Sequence, residues 1–488
     1  MFKKNYINPK VKKIKLGFKK FRNQPNPKEN QHLFSYDDCF ECYNYSTKDG
    51  ALKDGYGVKI LSAYYDGDDY LITPDCSEIK GIWASRWHNI DSQKVDEYVF
   101  FMFEDNKIHF TDLNYPSILV SLDEIFTEIP FMTKIREDQS EAFIFSSPSD
   151  NLLLLTKDAD EVLTTVPKFM DVCYHYDKTF AITAEVQNAL VYSTDDDIKN
   201  WKEDNIERIE FSDDRGRLLR LLTFNDYLYV FREFGITKIS QYSIKSQFSL
   251  DHLYQSQSYI YPESIAICGD KVIFLTKDGL YEFDGNNVKL IEVKCFKNML
   301  LDQAKPYAIT FNNSYFLATR MSFEGDVVGC EKEDYVNNAI IVLDLISNNI
   351  EIIRGLDIVK FTTISSAKHN KLIAIFRGEY KNLVGEIVQN GQFFDEISSK
   401  SWTSTYSDFG YADKLKNITE IHIKTKEDCK ISVVSDQEIK QFEVKGSEEL
   451  QRLNVSIKGR LFKISFQTSS STGQEISVFN ISLTVYES

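Results

Sequence analysis

One phrase occurs twice near the middle of the chain, and it limits the fold more than any other feature. "DYLYVFREFGITKI" (residues 226–239) aligns without a gap with "DKVIFLTKDGLYEF" (residues 270–283), 44 residues further on. Each copy reads as a turn residue, an apolar strand, a turn containing Gly and a second strand. In the later copy Val272, Ile273, Phe274 and Leu275 form an apolar run between two turn clusters, Gly269-Asp270 and Lys277-Asp278-Gly279. That is the pattern of a strand covered on both faces. Residues 280–283 answer it as the returning strand, closed by Asp284-Gly285-Asn286-Asn287. Such a period of antiparallel strands predicts a repeated all-β unit.

Weaker copies of the turn followed by an apolar run extend the series. Residues 99–103 follow Asp96, 152–155 follow Asp150, 180–182 follow Asp177, 315–318 follow Asn313 and 372–376 follow Asn370. The interval of 27 residues from Asp150 to Asp177 is too short for four strands, so the series predicts six or seven units. A lone four-stranded sheet leaves edges and an apolar face open, whereas sheets arranged radially cover one another. The expectation is therefore a β-propeller of six or seven blades over residues 57–397. An irregular set of β-sandwiches is the competing architecture.

From residue 398 the period is lost. "EIHIKT", "KISVVSD", "FEVKG", "RLNVSIKG", "LFKISFQT" and "ISLTVYES" alternate apolar and polar residues, which predicts a C-terminal β-sandwich over residues 398–488. Few stretches have helical periodicity. No window holds the roughly 18 continuous apolar residues that a membrane helix needs, so no membrane span is expected, and no secretory signal is read at the N-terminus. The eight Cys are scattered, which favours a reducing compartment.

Charge is unevenly placed. Residues 1–22 carry Lys3, Lys4, Lys10, Lys12, Lys13, Lys15, Lys19, Lys20 and Arg22 and no acid, leaving 48 basic against 73 acidic side chains for the rest. Residues 1–56 are read as a basic N-terminal arm and linker, the arm docking on an acidic partner or on nucleic acid, with a solvated terminus as the alternative. An acidic body argues against the propeller gripping nucleic acid, and suits a surface past which DNA slides.

Enzymatic constellations are scarce. H-E-x-x-H, G-x-S-x-G and G-x-x-x-x-G-K are all missing, and the seven His are far apart. Cys39 and Cys42 make a C-x-x-C without a second ligand pair nearby. "STDDDIKNW" (residues 193–201) has the outline of an Asp-box turn, with Asp197 in place of its Gly and Trp201 one residue late. Such a turn is structural even in sialidases, and Arg86, Arg136, Arg215, Arg217, Arg220 and Arg232 form no evident carboxylate-binding cluster in the sequence. The chain is read as non-enzymatic, with no cofactor and no metal; a sialidase-like glycosidase is a lesser alternative.

"NALVYSTDDDIKNWKEDN", "RGRLLRLLTFNDYLYVFREFGITKIS", "YPESIAICGDKVIFLTKDGLYEFDG" and the ending "RLNVSIKGRLFKISFQTSS…ISLTVYE", in this order, resemble the propeller-bearing tail proteins of short-tailed phages, the nozzle (tail tubular protein B) and tail-hub group. The likeness covers residues 170–320 and 400–488. It implies a structural component of the virion tail, assembled in the host cytoplasm as a homo-oligomeric ring, commonly of six copies. The ring would contact the tail adaptor protein and tail fibres, and its lumen would retain DNA until ejection. An acidic lumen wall would keep DNA from sticking, with repulsion screened beyond about 8 Å. Asp195, Asp196, Asp197, Asp213 and Asp214 form the densest acidic turn region and are nominated as lumen-facing. The alternative is a monomeric propeller serving as a protein-interaction platform.

Overall fold

The computed structural model describes residues 10–18, 39–47, 50–65, 68–71, 78–89, 94–113, 119–137, 140–157, 159–176, 178–193, 198–201, 206–240, 248–323, 334–365, 369–394, 396–468 and 473–486. Among them, six sheets are four-stranded antiparallel meanders in strict chain order, and a seventh is completed from the N-terminal side. Blade 1 begins with Gly81–Asn89, blade 2 with Phe131–Glu137, blade 3 with Phe169–His175 and blade 4 with Leu218–Phe224. Blades 5, 6 and 7 begin with Ala266–Cys268, Tyr307–Phe311 and Ile358–Ser365. The chain is an all-β, seven-bladed propeller carrying a β-sandwich.

The twin phrases are the second and third strands of blades 4 and 5. Their unbroken apolar runs have a direct cause, because alternate residues enter different cores. Val272 and Phe274 pack toward blade 4, while Ile273 and Leu275 belong to the core on the blade 6 side, all four fully buried. Blade 4 repeats the arrangement, with Leu228 and Val230 toward blade 3 and Tyr229 and Phe231 toward blade 5. A side chain on either face of these runs meets a neighbouring blade, so both faces are apolar.

The short interval at Asp150 has an equally simple origin. Leu152–Leu155 is the third strand of its blade, whereas the other apolar runs of the series lie on second strands. The true counterpart in blade 2 is Ser140–Ser146.

Blade 7 takes its fourth strand from Gly57–Ile60, which pairs antiparallel with Val384–Val388. Pairing of first and last propeller strands removes the open edges that the ring would otherwise keep. The closure is tight: a Cβ at Gly385 would run into Val58 and the Phe376 ring. Leu61, Ile82, Val99 and Phe101 then share one core with Ile364, Ile373 and Ile375, joining blade 7 to blade 1.

The N-terminal segment departs from the expected arm. Lys10–Lys15 is a strand paired with Glu475–Val485, Lys12 lying opposite Leu483 and Lys15 opposite Asn480. Leu16 and Phe18 are buried, Phe18 meeting Trp402 and Phe466 edge-on at 5.2 and 5.5 Å. Cys39–Tyr43 pairs with Lys400–Ser404, and Leu52–Asp54 with Glu475–Val485. The sandwich is thus built from both ends of the chain. Lys12, Lys13 and Lys15 sit where an edge strand meets water, while Ile14, Leu16 and Phe18 fall at every second position toward the core. Counting charge alone conceals that alternation. Lys3, Lys4, Lys19, Lys20 and Arg22 lie outside the described residues.

The sandwich is seated firmly on blade 6. Asn44 donates to the carbonyls of Arg354 (2.9 Å) and Ser399 (2.7 Å), and its Oδ1 accepts from the Arg354 N–H at 2.8 Å. The Arg354 guanidinium covers the rings of Phe323 and Tyr43 at 4.1 and 4.9 Å. One continuous core runs from Trp402 and Ile481 in the sandwich to Tyr315 and Leu317 in blade 6.

Candidate functional site

The first strands of blades 2 and 3, 3 and 4, 5 and 6, 6 and 7, and 7 and 1 touch one another, so the first strands are the innermost of the ring. Three of them carry a register shift near the start: Phe169/Asp171 in blade 3, Leu218/Arg220 in blade 4 and Ile358/Lys360 in blade 7. In each, the residue just after the shift is ionisable. Bulges re-aim side chains, and here Asp171, Arg220 and Lys360 join Glu263, Tyr307 and Trp83 in a single axial cluster.

The cluster is knit by hydrogen bonds and ring contacts. Asp171 accepts from the Leu221 N–H at 2.6 Å and the Val172 N–H at 3.1 Å, tying blade 3 to blade 4. Arg220 donates to the Pro262 carbonyl at 3.1 Å and approaches the Glu263 carboxylate at 3.6 Å. The Lys360 ammonium lies 4.3 Å from the Trp83 ring and 5.7 Å from that of Tyr307. Arg220 keeps 34% of its side-chain surface in water and Glu263 59%, so this pair sits at the open side of the cluster. Burial pushes the Asp171 carboxyl up to about 6 despite the pull of Arg220 and the Leu221 N–H. Burial also draws Lys360 down to about 8, with Glu263 opposing and Arg220 reinforcing. For Arg220 burial disfavours the charge, but the Glu263 and Asp171 carboxylates outweigh it and raise its pKa. Four groups of mixed sign therefore answer one another across the axis.

Asp213 and Asp214 are not on a first strand. They sit in the connection from blade 3 to blade 4, and Asp213 takes an ion pair at 2.6 Å from Arg232, a guanidinium only 1% exposed. Arg215 and His252 approach the same carboxylate at 3.5 and 3.4 Å. Burial opposes its ionisation, but the Arg215 N–H and the Arg232 charge prevail and hold it below the usual carboxylate range. Asp213 thus serves as an internal tie, and the chain's own axis is lined by other residues. Asp195, Asp196 and Asp197 lie outside the described residues. The Asp-box-like segment ends with Trp201 buried on the Phe169 ring at 5.0 Å, and Ser193 is fully buried. Cys39 and Cys42 face the sandwich core as free thiols, and burial beside Cys42 pushes Cys39 well up.

A second feature was absent from the sequence reading. Between blades 1 and 2 a cleft of about 320 Å³ is walled by Trp87, Tyr98, Phe110 and Phe143. Trp87 meets Phe143 at 5.1 Å and Tyr98 at 6.3 Å, and Tyr98 meets Phe110 at 5.6 Å, all edge-on. Asp96, Lys157 and Asp160 stand around it with exposed Val120 and Ala159. The Thr156 N–H donates to the Ala159 carbonyl at 2.9 Å, which pins the turn forming one wall. Burial raises the Tyr98 phenol, reinforced by the carboxylates of Asp96 and Asp112. The sequence signal is a pair of aromatics at alternate positions, Tyr98 and Phe100, in the apolar half of the strand Lys94–Met102.

No family model matches the chain, and no curated protein matches it. Among solved structures it is similar to a chain in the crystal structure of BBS1N in complex with ARL6DN, soaked with lead, at 9% identity and a TM-score of 0.42. That match covers 64% of this chain and 93% of the other. The mercury-soaked counterpart gives 8% identity, a TM-score of 0.44 and coverages of 68% and 97%. The Neurospora crassa Pan2 WD40 domain gives 8%, 0.40, 64% and 89%. The likeness concerns fold alone. The sheets and their closure define a seven-bladed β-propeller with a docked sandwich, and no narrower class is drawn from these comparisons.

Proposed function

We propose that this protein is a non-catalytic binding platform, in which the propeller holds a recognition cleft for another protein. The cleft between blades 1 and 2 carries this reading. Concave pockets of this size with aromatic walls and a few polar groups are the usual form of a recognition site. The axial ionisable groups, by contrast, are engaged with one another and with backbone groups. Panning a random peptide library on the full-length chain tests the reading. Enriched sequences are expected, and the Ala159→Trp variant, which fills the cleft from an exposed position, should lose them. Failure of any sequence to enrich would overturn it.

A second reading, the ring-forming phage tail component implied by the resemblance, is favoured by one observation. A protomer that builds a closed ring must present its surfaces at a fixed angle, and the Asn44 and Arg354 contacts fix the sandwich against blade 6. In that reading the DNA lumen lies between copies rather than along this chain's axis. Light scattering of the purified protein separates the two: a 56.6 kDa species favours the platform, and a multiple of it the ring.

A further inference from the structure

The cleft is small, near the lower limit of about 300 Å³ for ligand sites, which suits one inserted side chain. Its walls are aromatic, and aromatic faces are negative in their quadrupole, so they attract a cation when water is displaced. Carboxylates surround them. Asp96 borders the cleft, Asp112 lies close enough to Tyr98 to oppose ionisation of the phenol, and Asp160 is exposed at the mouth. Lys157 is the one cation among the lining residues, and it is exposed at the rim with an interaction of its own. The chain as a whole is acidic, at a net charge of −16. The adjoining strand Val120–Ile125 is the outermost of blade 1, paired only with Lys107–Asp112 among the described residues, and Val120 and Ile125 on it are 40% and 58% exposed. An open edge beside a pocket is the arrangement by which sheets accept an extended peptide, with the pocket taking a side chain.

Building on the platform reading, we propose that the aromatic cleft between blades 1 and 2 receives a lysine or arginine side chain carried on an extended segment of a partner protein. The aliphatic stem lies against Trp87, Tyr98 and Phe143, and the charged head sits among the carboxylates at the mouth. Charge complementarity with the exposed Asp160 and with an acidic chain selects this occupant over an aliphatic or aromatic side chain, which would fill the space and bring no charge to the mouth.

Calorimetric titration of the full-length chain with three blocked pentapeptides, Gly-Gly-X-Gly-Gly, tests it, X being arginine, citrulline or norleucine. Citrulline keeps the shape of arginine and lacks its charge. The arginine peptide should bind about ten-fold more tightly than the citrulline peptide, the worth of one desolvated cation–π contact. Asp160→Asn should narrow that gap, and Ala159→Trp should abolish binding, with unchanged circular dichroism for both variants. Norleucine binding as well as arginine, or arginine binding that survives Ala159→Trp, would overturn the proposal. So would silence from all three peptides; library panning that still enriches sequences would then leave the platform reading standing.

Discussion

The ring's axis and the cleft between blades 1 and 2 are both places where side chains from different blades converge, but they are filled in opposite ways. At the axis, three bulged strands deliver an acid and two bases into a shared space, where Asp171 takes two backbone N–H groups and Arg220 faces Glu263. In the cleft, four rings contact one another edge-on and leave room between them. Burying charge demands compensation on the spot, so the axis is committed to holding blades together. An aromatic wall makes no such demand, and its empty space stays available to a partner.

The same substitution made in both places gives the sharpest contrast. Asp171→Lys removes the acceptor of two N–H groups and sets a third cation near Arg220 and Lys360, so stability to urea should fall by about 3 kcal/mol or more. Equal stability for this variant and wild type would break the distinction.

The pH profile should show a smaller but characteristic effect. Asp171 in the folded chain titrates above its unfolded value of about 3.9. The native state therefore binds more protons than the unfolded state between about pH 4 and 6, and its stability falls as pH rises through that window. Lys360 titrates below its unfolded value of about 10.4. There the unfolded state holds more protons between about pH 8 and 10, and stability rises with pH. The axis should thus contribute least between pH 6 and 8. Urea melts of wild type compared with Asp171→Asn and Lys360→Met should isolate the acidic and alkaline slopes in turn.

At pH 7, Lys360→Met should change stability by no more than about 1 kcal/mol, because an apolar chain of similar length can rest on the Trp83 and Tyr307 rings without paying for a desolvated charge. Smallest of all, Asp160→Lys at the exposed mouth of the cleft should stay within about 0.5 kcal/mol of wild type in the same melts. It should nevertheless remove binding of the arginine peptide. A large loss of stability at Asp160 would mean that the cleft, like the axis, is part of the structural frame.

Different parts of this molecule were legible to different degrees. The second strands of the blades stood out because both of their faces are covered, as Val272 to Leu275 illustrate. Blade 2 was misphased because its third strand, Leu152–Leu155, is as apolar as a second strand. The axial residues were not singled out, since "FMD", "LLR" and "IVK" at the heads of blades 3, 4 and 7 look unremarkable alone. Their shared form, two apolar residues and then a charge, is a signal that aligned blades would have exposed. The basic N-terminus was assigned from charge, while the alternation of Ile14, Leu16 and Phe18 already described a strand.

What could be read directly from the order of residues was the repeat, the all-β class and the change of pattern near residue 398, because each depends on periodicities within a few neighbouring residues. Long-range pairing supplied the rest. Val58 must find Ile387 to close the ring, Lys10 must find Val485 to complete the sandwich, and Trp87 must meet Phe143 to wall the cleft. Such meetings are set by which faces remain uncovered once the blades have formed, and no local pattern encodes them.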